Sequence, residues 1–325
     1  MYDAIVVGAR CAGSPTAMLL ARQGHRVLVV DRAGFPSDTL STHYIHQSGV
    51  ASLERWGLLP RIAAAGAPGI RNYTLDVGPF ALHGAPPPIG EVTEAYSLRR
   101  TVLDQMLVEA AADAGAEVRQ HFPVDGLVTD GDRVTGIRSR GGTEHARIVI
   151  GADGLNSLVA RGVGAPTYND QGTLTCAYYT YWSGVEIDGV ELYPRPGCMI
   201  VAAPTNDGQV VTIVLWPNAE FHAIRSDIER RFLEALELAP GLAARVRRAT
   251  RSDASAAAAS VADRAVLRVD VGDEVAAVDG EVEGHGVGVG QAQRHLLGCL
   301  RAAILQARRQ VLQPLGREED LHAAG

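Results

Sequence analysis

Lysine is absent from this 325-residue chain, so all 30 of its basic residues are arginine. That excludes a mechanism built on a lysine base or a lysine Schiff base. Aromatic residues make up only 5%, and no Phe, Trp or Tyr follows Phe232. The four cysteines, Cys11, Cys176, Cys198 and Cys299, are scattered and form no C-x-x-C pair. They suggest neither a zinc site nor a disulfide framework, and point to a reducing compartment. No run approaches the ~20 apolar residues of a membrane helix, so no integral membrane contact is expected. Positive charge is not in excess either. A net charge of −7 argues against nucleic acid held by phosphate neutralisation. The first strand is expected at residue 3, which leaves no room for a signal peptide, and a cytoplasmic location is the expectation.

What remains is ordinary globular composition, 46% hydrophobic and 21% charged, in a chain long enough for one or two domains. Its most informative stretch is residues 3–32. Residues 3–7 are an apolar run ending at Gly8, as in a buried parallel strand. Gly8-Ala9-Arg10-Cys11-Ala12-Gly13 forms a turn, residues 14–23 have helical character, and Gly24 is a stop signal. A second apolar run, Val27 to Val30, ends at Asp31, 23 residues after Gly8. This is the β-α-β pattern of a dinucleotide site. Gly8 permits the tight turn, Gly13 permits close helix–strand packing, and the helix N-terminus offers amides and a positive dipole end to a pyrophosphate. Asp31 is placed to accept hydrogen bonds from an adenosine ribose, beyond the plain reading of a strand-end acid. The middle glycine of G-x-G-x-x-G is Arg10 here. Its side chain must turn away or itself contact phosphate or cofactor.

Further along, residues 43–60 are expected to be helical, with Trp56-Gly57 and Pro60 marking the stop. Residues 70–96 read as short strands around a Pro86-Pro87-Pro88 loop, and residues 101–114 as an amphipathic helix ended by Gly115. Residues 116–150 read as a β-meander with turns at Asp130-Gly131-Asp132 and Gly141-Gly142, running into Gly151-Ala152-Asp153-Gly154. Residues 173–217 are rich in strand formers and hold two of the three tryptophans, as an antiparallel sheet would. Residues 219–250 read as two helices broken at Pro240-Gly241. The last 75 residues carry little large apolar volume; residues 292–312 are still expected to be helical, and the tail from Gly316 is polar.

Three separated stretches now point one way: Gly8 to Asp31; Gly151 to Arg161, GADGLNSLVAR; and Val271-Gly272-Asp273 with Asp279 and Gly284-His285-Gly286. Together they resemble the class A flavoprotein monooxygenase superfamily, of the p-hydroxybenzoate hydroxylase fold, which geranylgeranyl reductases and flavin halogenases share. The resemblance covers residues 1–250 well and the remainder poorly. It implies an α/β fold: a Rossmann-like FAD-binding domain of residues 1–70, 96–165 and 262–312, and an antiparallel β-sheet substrate domain of residues 71–95 and 166–255 with helices. Residues 313–325 are left as a polar tail.

The resemblance also implies cofactor contacts from Gly8, Ala9, Arg10, Cys11, Ala12, Gly13, Ser14, Asp31 and Arg32. To these it adds Arg100, the Asp153-Gly154 pair, Gly272, Asp273 and Gly286. The implied activity is NAD(P)H-dependent monooxygenation of an aromatic or polyketide-like small molecule. NAD(P)H is a transient reductant there, and molecular oxygen reacts at FAD through a flavin hydroperoxide. A geranylgeranyl-reductase-like flavin reductase and a non-catalytic nucleotide-binding remnant stay open. A halogenase is disfavoured, since W-x-W-x-I-P and any lysine are missing. The third stretch departs from the pattern: Glu274 stands for Ala, Asp279-Gly280 for Asp-Pro, and the spacing to Gly284 is one residue long. A diverged subfamily and a chain that leaves its original reading frame near residue 252 both account for this.

Among side chains outside these motifs, His43 and His46 are weak catalytic candidates, because their loop faces the flavin in the resembled fold. The plainer reading is that each is structural. Tyr178, Tyr179, Tyr181 and Trp182 are strand aromatics, of which one or two on the inner face are expected to line a pocket. Cys11 reads as a small packing residue.

Overall fold

A computed structural model of the chain describes residues 1–167, 173–252 and 259–262. The elements in chain order begin with β1 (Tyr2–Val7), α1 (Gly13–Arg22), β2 (Val27–Val30), β3 (Tyr44–Ile45), α2 (Gln47–Arg55) and α3 (Leu59–Ala63). Next come β4 (Tyr73–Asp76), β5 (Ala81–Gly84), β6 (Tyr96–Ser97), α4 (Arg100–Asp113) and β7 (Glu117–Arg119). Then follow β8 (Gly126–Asp130), β9 (Arg133–Ser139), β10 (Gly142–Gly151) and α5 (Leu158–Gly162). The remainder is β11 (Thr173–Ser183), β12 (Val190–Arg195), β13 (Cys198–Pro204), β14 (Gln209–Pro217), α6 (Phe221–Ser226), α7 (Ile228–Glu237), α8 (Pro240–Val246), β15 (Thr250–Arg251) and β16 (Ala259–Ala262).

Two sheets organise these elements. The first has the order β7-β2-β1-β10-β9-β8. Its β7, β2, β1 and β10 run parallel, and β9 and β8 complete an antiparallel edge. The apolar runs of β1 and β2 lie at its centre, buried on both faces as an all-parallel core requires. One face packs on α1 and α4 through Val6, Val29, Met18, Leu103 and Leu107. The other carries Ile5, Leu28 and Ile137.

The second sheet has the order β15-β11-β14-β13-β12-β4-β5, with β16 also pairing β11. It is antiparallel except at β12 and β4, which run parallel. Alternation divides its faces: Tyr178, Trp182, Ile200 and Val214 pack under α6, α7 and α8 with Ile224, Phe232 and Leu242. The other face carries Tyr179, Tyr181, Ile213 and Val201.

Two expectations need correction. Residues 43–60 are not one helix: Tyr44–Ile45 pairs with Tyr96–Ser97 as a short antiparallel bridge, and helix begins only at Gln47. Residues 219–250 hold three helices rather than two, because the chain also breaks at Asp227, whose backbone is non-helical. The expected break at Pro240-Gly241 falls just ahead of it, between Glu237 and Pro240, so that Pro240 opens α8, a position where its missing N–H has no intrahelical partner to lose. The expected helix over residues 292–312 lies outside the described residues. Among the described residues no helix is long and apolar enough to cross a membrane.

Candidate functional site

The site grows from the ends of β1, β2 and β10. The turn after β1 leaves the sheet at Gly8, whose φ of +102° is natural only for glycine. A Cβ at Gly8 would lie 2.3 Å from the Ala152 carbonyl oxygen, and one at Gly13 only 1.7 Å from the Gly8 carbonyl oxygen. Both glycines are therefore required by backbone contact. Ala12, the N-cap of α1, supplies no capping side chain; the Ser14 N–H donates to the Arg10 carbonyl at 3.1 Å and Pro15 has no N–H, so the Gly13 amide is what the helix start itself offers an anion. Ser14 closes the turn from within, donating its hydroxyl to the Ala9 carbonyl at 2.7 Å.

Asp31 is buried at the end of β2. One carboxylate oxygen accepts the Ala9 N–H at 2.8 Å and the other the Ala33 N–H at 2.8 Å. A carboxylate has about four lone-pair sites, so both bonds leave room for a further donor. Arg32 beside it is exposed.

Arg10, standing where a glycine is expected, turns its guanidinium sideways. It donates to Ser37 Oγ at 2.9 Å and to the fully buried Asp104 of α4, and lies 5.3 Å from the centre of the Phe35 ring. Arg100 reaches the same carboxylate from one helical turn away, with bonds of 3.0 Å from Nε and from one terminal nitrogen. Two cations thus share one buried anion beside the turn. The Cys11 thiol donates to Asp104 at 3.4 Å. Although Cys11 as a residue is exposed, packing around its sulfur pushes the thiol up to about 11. It stays protonated at neutral pH, as a packing residue rather than a nucleophile does.

β10 brings Asp153 and Gly154 to the same end of the sheet, where the Ala152 N–H donates to the Val7 carbonyl at 2.8 Å. Asp153 caps α5, accepting from Leu158 N at 2.6 Å, Val159 N at 3.3 Å and the Ser157 hydroxyl. Gly154 turns at φ +80°.

The two histidines separate. His46 precedes α2 and meets Tyr44 edge-on at 4.6 Å. His43 is almost fully buried and left-handed at φ +62°. Its Nε2 lies 2.5 Å from Tyr181 Oη on the second sheet. Burial pulls its imidazole down to about 4. Arg99 joins the same neighbourhood: it lies 5.6 Å from the Tyr181 ring centre and pairs with Asp207. The consecutive Arg99 and Arg100 therefore serve different partners, one the second sheet and one the glycine turn.

The structure thus brings the Gly8–Gly13 turn, Ser14, Asp31, Arg100, Asp153 and Gly154 to one end of the first sheet, and leaves His46 at the start of α2. Gly272, Asp273 and Gly286 lie outside the described residues. Sequence reading missed Asp104, although its position four residues after Arg100 is an ion-pair spacing. It also missed Arg99 and the pairing of His43 with Tyr181.

Residues 1–277 match the profile of a family described as FAD binding domain. The chain belongs to this flavoprotein monooxygenase family. Its members are FAD-dependent oxidoreductases, and FAD is the cofactor that the family fold is built around. Among curated relatives of this flavoprotein, protein FixC of Salmonella typhi is 37% identical over 175 residues, covering 50% of this chain and 39% of FixC. Digeranylgeranylglycerophospholipid reductase 2 of Methanopyrus kandleri is 31% identical over 198 residues, 58% of this chain and 46% of the reductase. The match thus spans less than half the length of each relative. Among solved structures, the myxobacterial chondrochloren halogenase CndH superposes with a TM-score of 0.72 at 22% identity, over 80% of this chain and 63% of the halogenase. PqsL, a probable FAD-dependent monooxygenase from Pseudomonas aeruginosa, gives 0.67 at 17% identity over 80% of this chain and 73% of PqsL. At these identities the likeness is one of fold.

The residues present fit the cofactor. The glycine cradle has no room for a Cβ, the helix start carries no cap of its own, and the Arg10–Asp104–Arg100 cluster carries one excess positive charge beside the turn.

Proposed function

We propose that the chain is an FAD-dependent, NAD(P)H-consuming monooxygenase acting on an aromatic or polyketide-like small molecule with molecular oxygen. The observation that carries this reading is the meeting of Gly8, Gly13, Asp31 and Asp153-Gly154 at one end of a parallel sheet in a chain of this family. In it the Gly8–Gly13 turn, with Ser14 behind it, receives the FAD pyrophosphate. Asp31 and Arg32 face the adenosine ribose. Arg100, oriented by Asp104, contacts the flavin nucleotide, and Arg10 adds charge from the side of the turn. Asp153 holds its loop rigid through the α5 cap, leaving Gly154 as the close-approach point. Gly272, Asp273 and Gly286 complete the cradle. Residues 1–70, 96–165 and 262–312 form the FAD domain, and residues 71–95 and 166–255 the substrate domain.

Bound FAD supplies the redox chemistry. The protein's share is to orient the cofactor, keep water out and present substrate from the face bearing Tyr179 and Tyr181. A flavin-dependent reductase is the second reading, favoured by the 31% identity to the archaeal digeranylgeranylglycerophospholipid reductase.

The test is the visible absorption spectrum of the purified chain after adding excess FAD and desalting. A retained flavin spectrum with NAD(P)H-dependent oxygen uptake is expected. Flavin reduction without oxygen uptake coupled to product would favour the reductase. A chain that stays colourless would overturn both and leave a nucleotide-binding remnant.

A further inference from the structure

We propose that Asp207, in the turn between β13 and β14, is a positioning residue of the cofactor site, acting through Arg99 and the head of α4 on Arg100. This inference rests on the flavoenzyme reading above, in which Arg100 contacts the flavin nucleotide. It adds the second sheet to what holds that contact in place.

A tight hairpin turn ordinarily points its polar residues at water. This one buries half of them. Thr205 and Asn206 are 0% and 1% exposed, and only Asp207 and Gly208 reach the surface. The Thr205 hydroxyl donates to the Ser97 carbonyl at 2.7 Å, at the end of β6. The Asn206 side chain is used at both ends: Nδ2 donates to the Ala65 carbonyl at 2.6 Å, and Oδ1 accepts the Arg99 N–H at 2.9 Å. Asp207 then pairs with the Arg99 guanidinium and is its ion-pair partner among the described residues. The Asp207 backbone is left-handed at φ +61°, a conformation that Asp and Asn accept more readily than other side chains. Glycine would turn the chain as well, but would leave the guanidinium without its carboxylate.

The turn therefore grips Arg99 by both backbone and side chain. Arg99 is the N-cap of α4, and its carbonyl accepts from Val102 N and Leu103 N at 3.0 Å each. Where Arg99 sits fixes where α4 begins. Arg100 is the first residue of that helix. It bonds Asp104 at 3.0 Å, and Asp104 also holds Arg10 of the glycine turn. Each link from Asp207 to the Gly8–Gly13 turn is thus a hydrogen bond, an ion pair or a turn of helix. The Arg99 guanidinium also lies 5.6 Å from the centre of the Tyr181 ring, so the same residue touches the face from which substrate is presented.

An alternative is that the pair merely ties two surfaces together. Asp207 is exposed, and an exposed pair adds little to stability. Its effect should therefore appear at the cofactor rather than in unfolding. A route of this kind carries coupling only if variants at its two ends fail to act independently.

Fluorescence titration with FAD of the full chain, Asp207→Asn, Asp104→Asn and the double variant measures this. Asn keeps the left-handed backbone and removes the charge. Asp207→Asn should raise the FAD Kd about fivefold, the low end of coupling between sites, with a urea midpoint near that of the parent. The visible circular dichroism of the bound flavin should change with it. In the Asp104→Asn background the same substitution should change the Kd by less than about twofold, because Arg100 is already released. Asp130→Asn, an equal charge change on exposed β8, should keep the parent Kd. If Asp207→Asn does not fold, Asp207→Gly takes its place in the same comparison. An unchanged Kd and flavin dichroism in the Asp207 variant overturn the proposal. So does an equal rise in both backgrounds, which would place its action outside the Arg100 route, or an equal rise in Asp130→Asn, which would assign it to net charge. A parent chain that binds no FAD overturns the flavoenzyme reading and this proposal together, whereas the other adverse outcomes leave that reading intact.

Discussion

The Asp31 carboxylate accepts a 2.8 Å hydrogen bond from the backbone N–H of Ala9, fastening the end of β2 to the turn that follows β1. Its other oxygen holds Ala33 N at 2.8 Å. The acid thus shapes the turn in addition to its proposed ribose contact. Asp31→Ala leaves two amides unpaired in a buried setting, at a cost of about 1–3 kcal/mol for each. We expect a lower urea midpoint and poor FAD retention. Asp31→Asn keeps one acceptor oxygen and should lose less on both counts. An Asp31→Ala chain with the parent midpoint would show that water satisfies these amides.

Gly13→Ala should be worse for FAD than for the second sheet. The new Cβ would lie 1.7 Å from the Gly8 carbonyl oxygen and 2.8 Å from its carbon, and no rotamer change relieves a backbone clash. Overpacking of this kind costs about 1–3 kcal/mol, and displacing the turn should lower FAD affinity by more than tenfold. The near-UV circular dichroism of Trp182 and Trp216, which lie on the second sheet, should persist. Gly24→Ala is the control: its φ is +87° but nothing lies within 4 Å of the added carbon, so FAD retention should hold. Normal FAD content in Gly13→Ala would mean that the pyrophosphate binds elsewhere.

How much of this was readable in advance follows sequence distance. The Gly8, Gly13 and Asp31 register was legible because strand, turn, helix and acid fall within one local unit. The strand Tyr44–Ile45 was not, since it exists only through pairing with Tyr96–Ser97. The parallel join of β12 to β4 likewise unites residues more than a hundred positions apart. The side-chain partners at the site behave the same way. Arg100 and Asp104 share a helix face, whereas Arg10 meets Asp104 across 94 positions and His43 meets Tyr181 across 138. Local patterns specify backbone turns; long-range pairs emerge only when the sheets are assembled.

Asp104 should matter more than its place on an ordinary helix suggests. Its side chain is fully buried and holds Arg10 and Arg100 together. Asp104→Ala leaves two part-buried guanidiniums facing each other without the anion between them. Breaking a buried pair in this way costs about 3–5 kcal/mol. Asp104→Asn, which accepts a hydrogen bond but carries no charge, should fall between Ala and the parent. Urea unfolding measures the cost. FAD titration should show weaker binding in both variants, because Arg100 loses its orientation. Stability unchanged in Asp104→Ala would mean that water and Ser37 absorb both cations.

The pH dependence of stability should carry the mark of His43. Burial, aided by Arg99 and Arg100 and opposed by Asp38, lowers its imidazole from 6.5 to about 4. Above pH 6.5 the residue is neutral both folded and unfolded and contributes no slope. As pH falls below 6.5 the unfolded chain takes up a proton that the folded chain refuses, so stability falls. The loss proceeds at up to about 1.4 kcal/mol per pH unit and totals roughly 3 kcal/mol by pH 4, where the folded form also protonates. His43→Asn tolerates the left-handed backbone and has no titrating ring. Its unfolding free energy, measured in urea between pH 7 and pH 4.5, should decline less steeply than that of the parent. The two curves should converge toward acid, because the burden on the parent grows as the variant's does not. Parallel curves would assign the acid limb to the carboxylates and would mean that the folded chain protonates His43 as readily as the unfolded one.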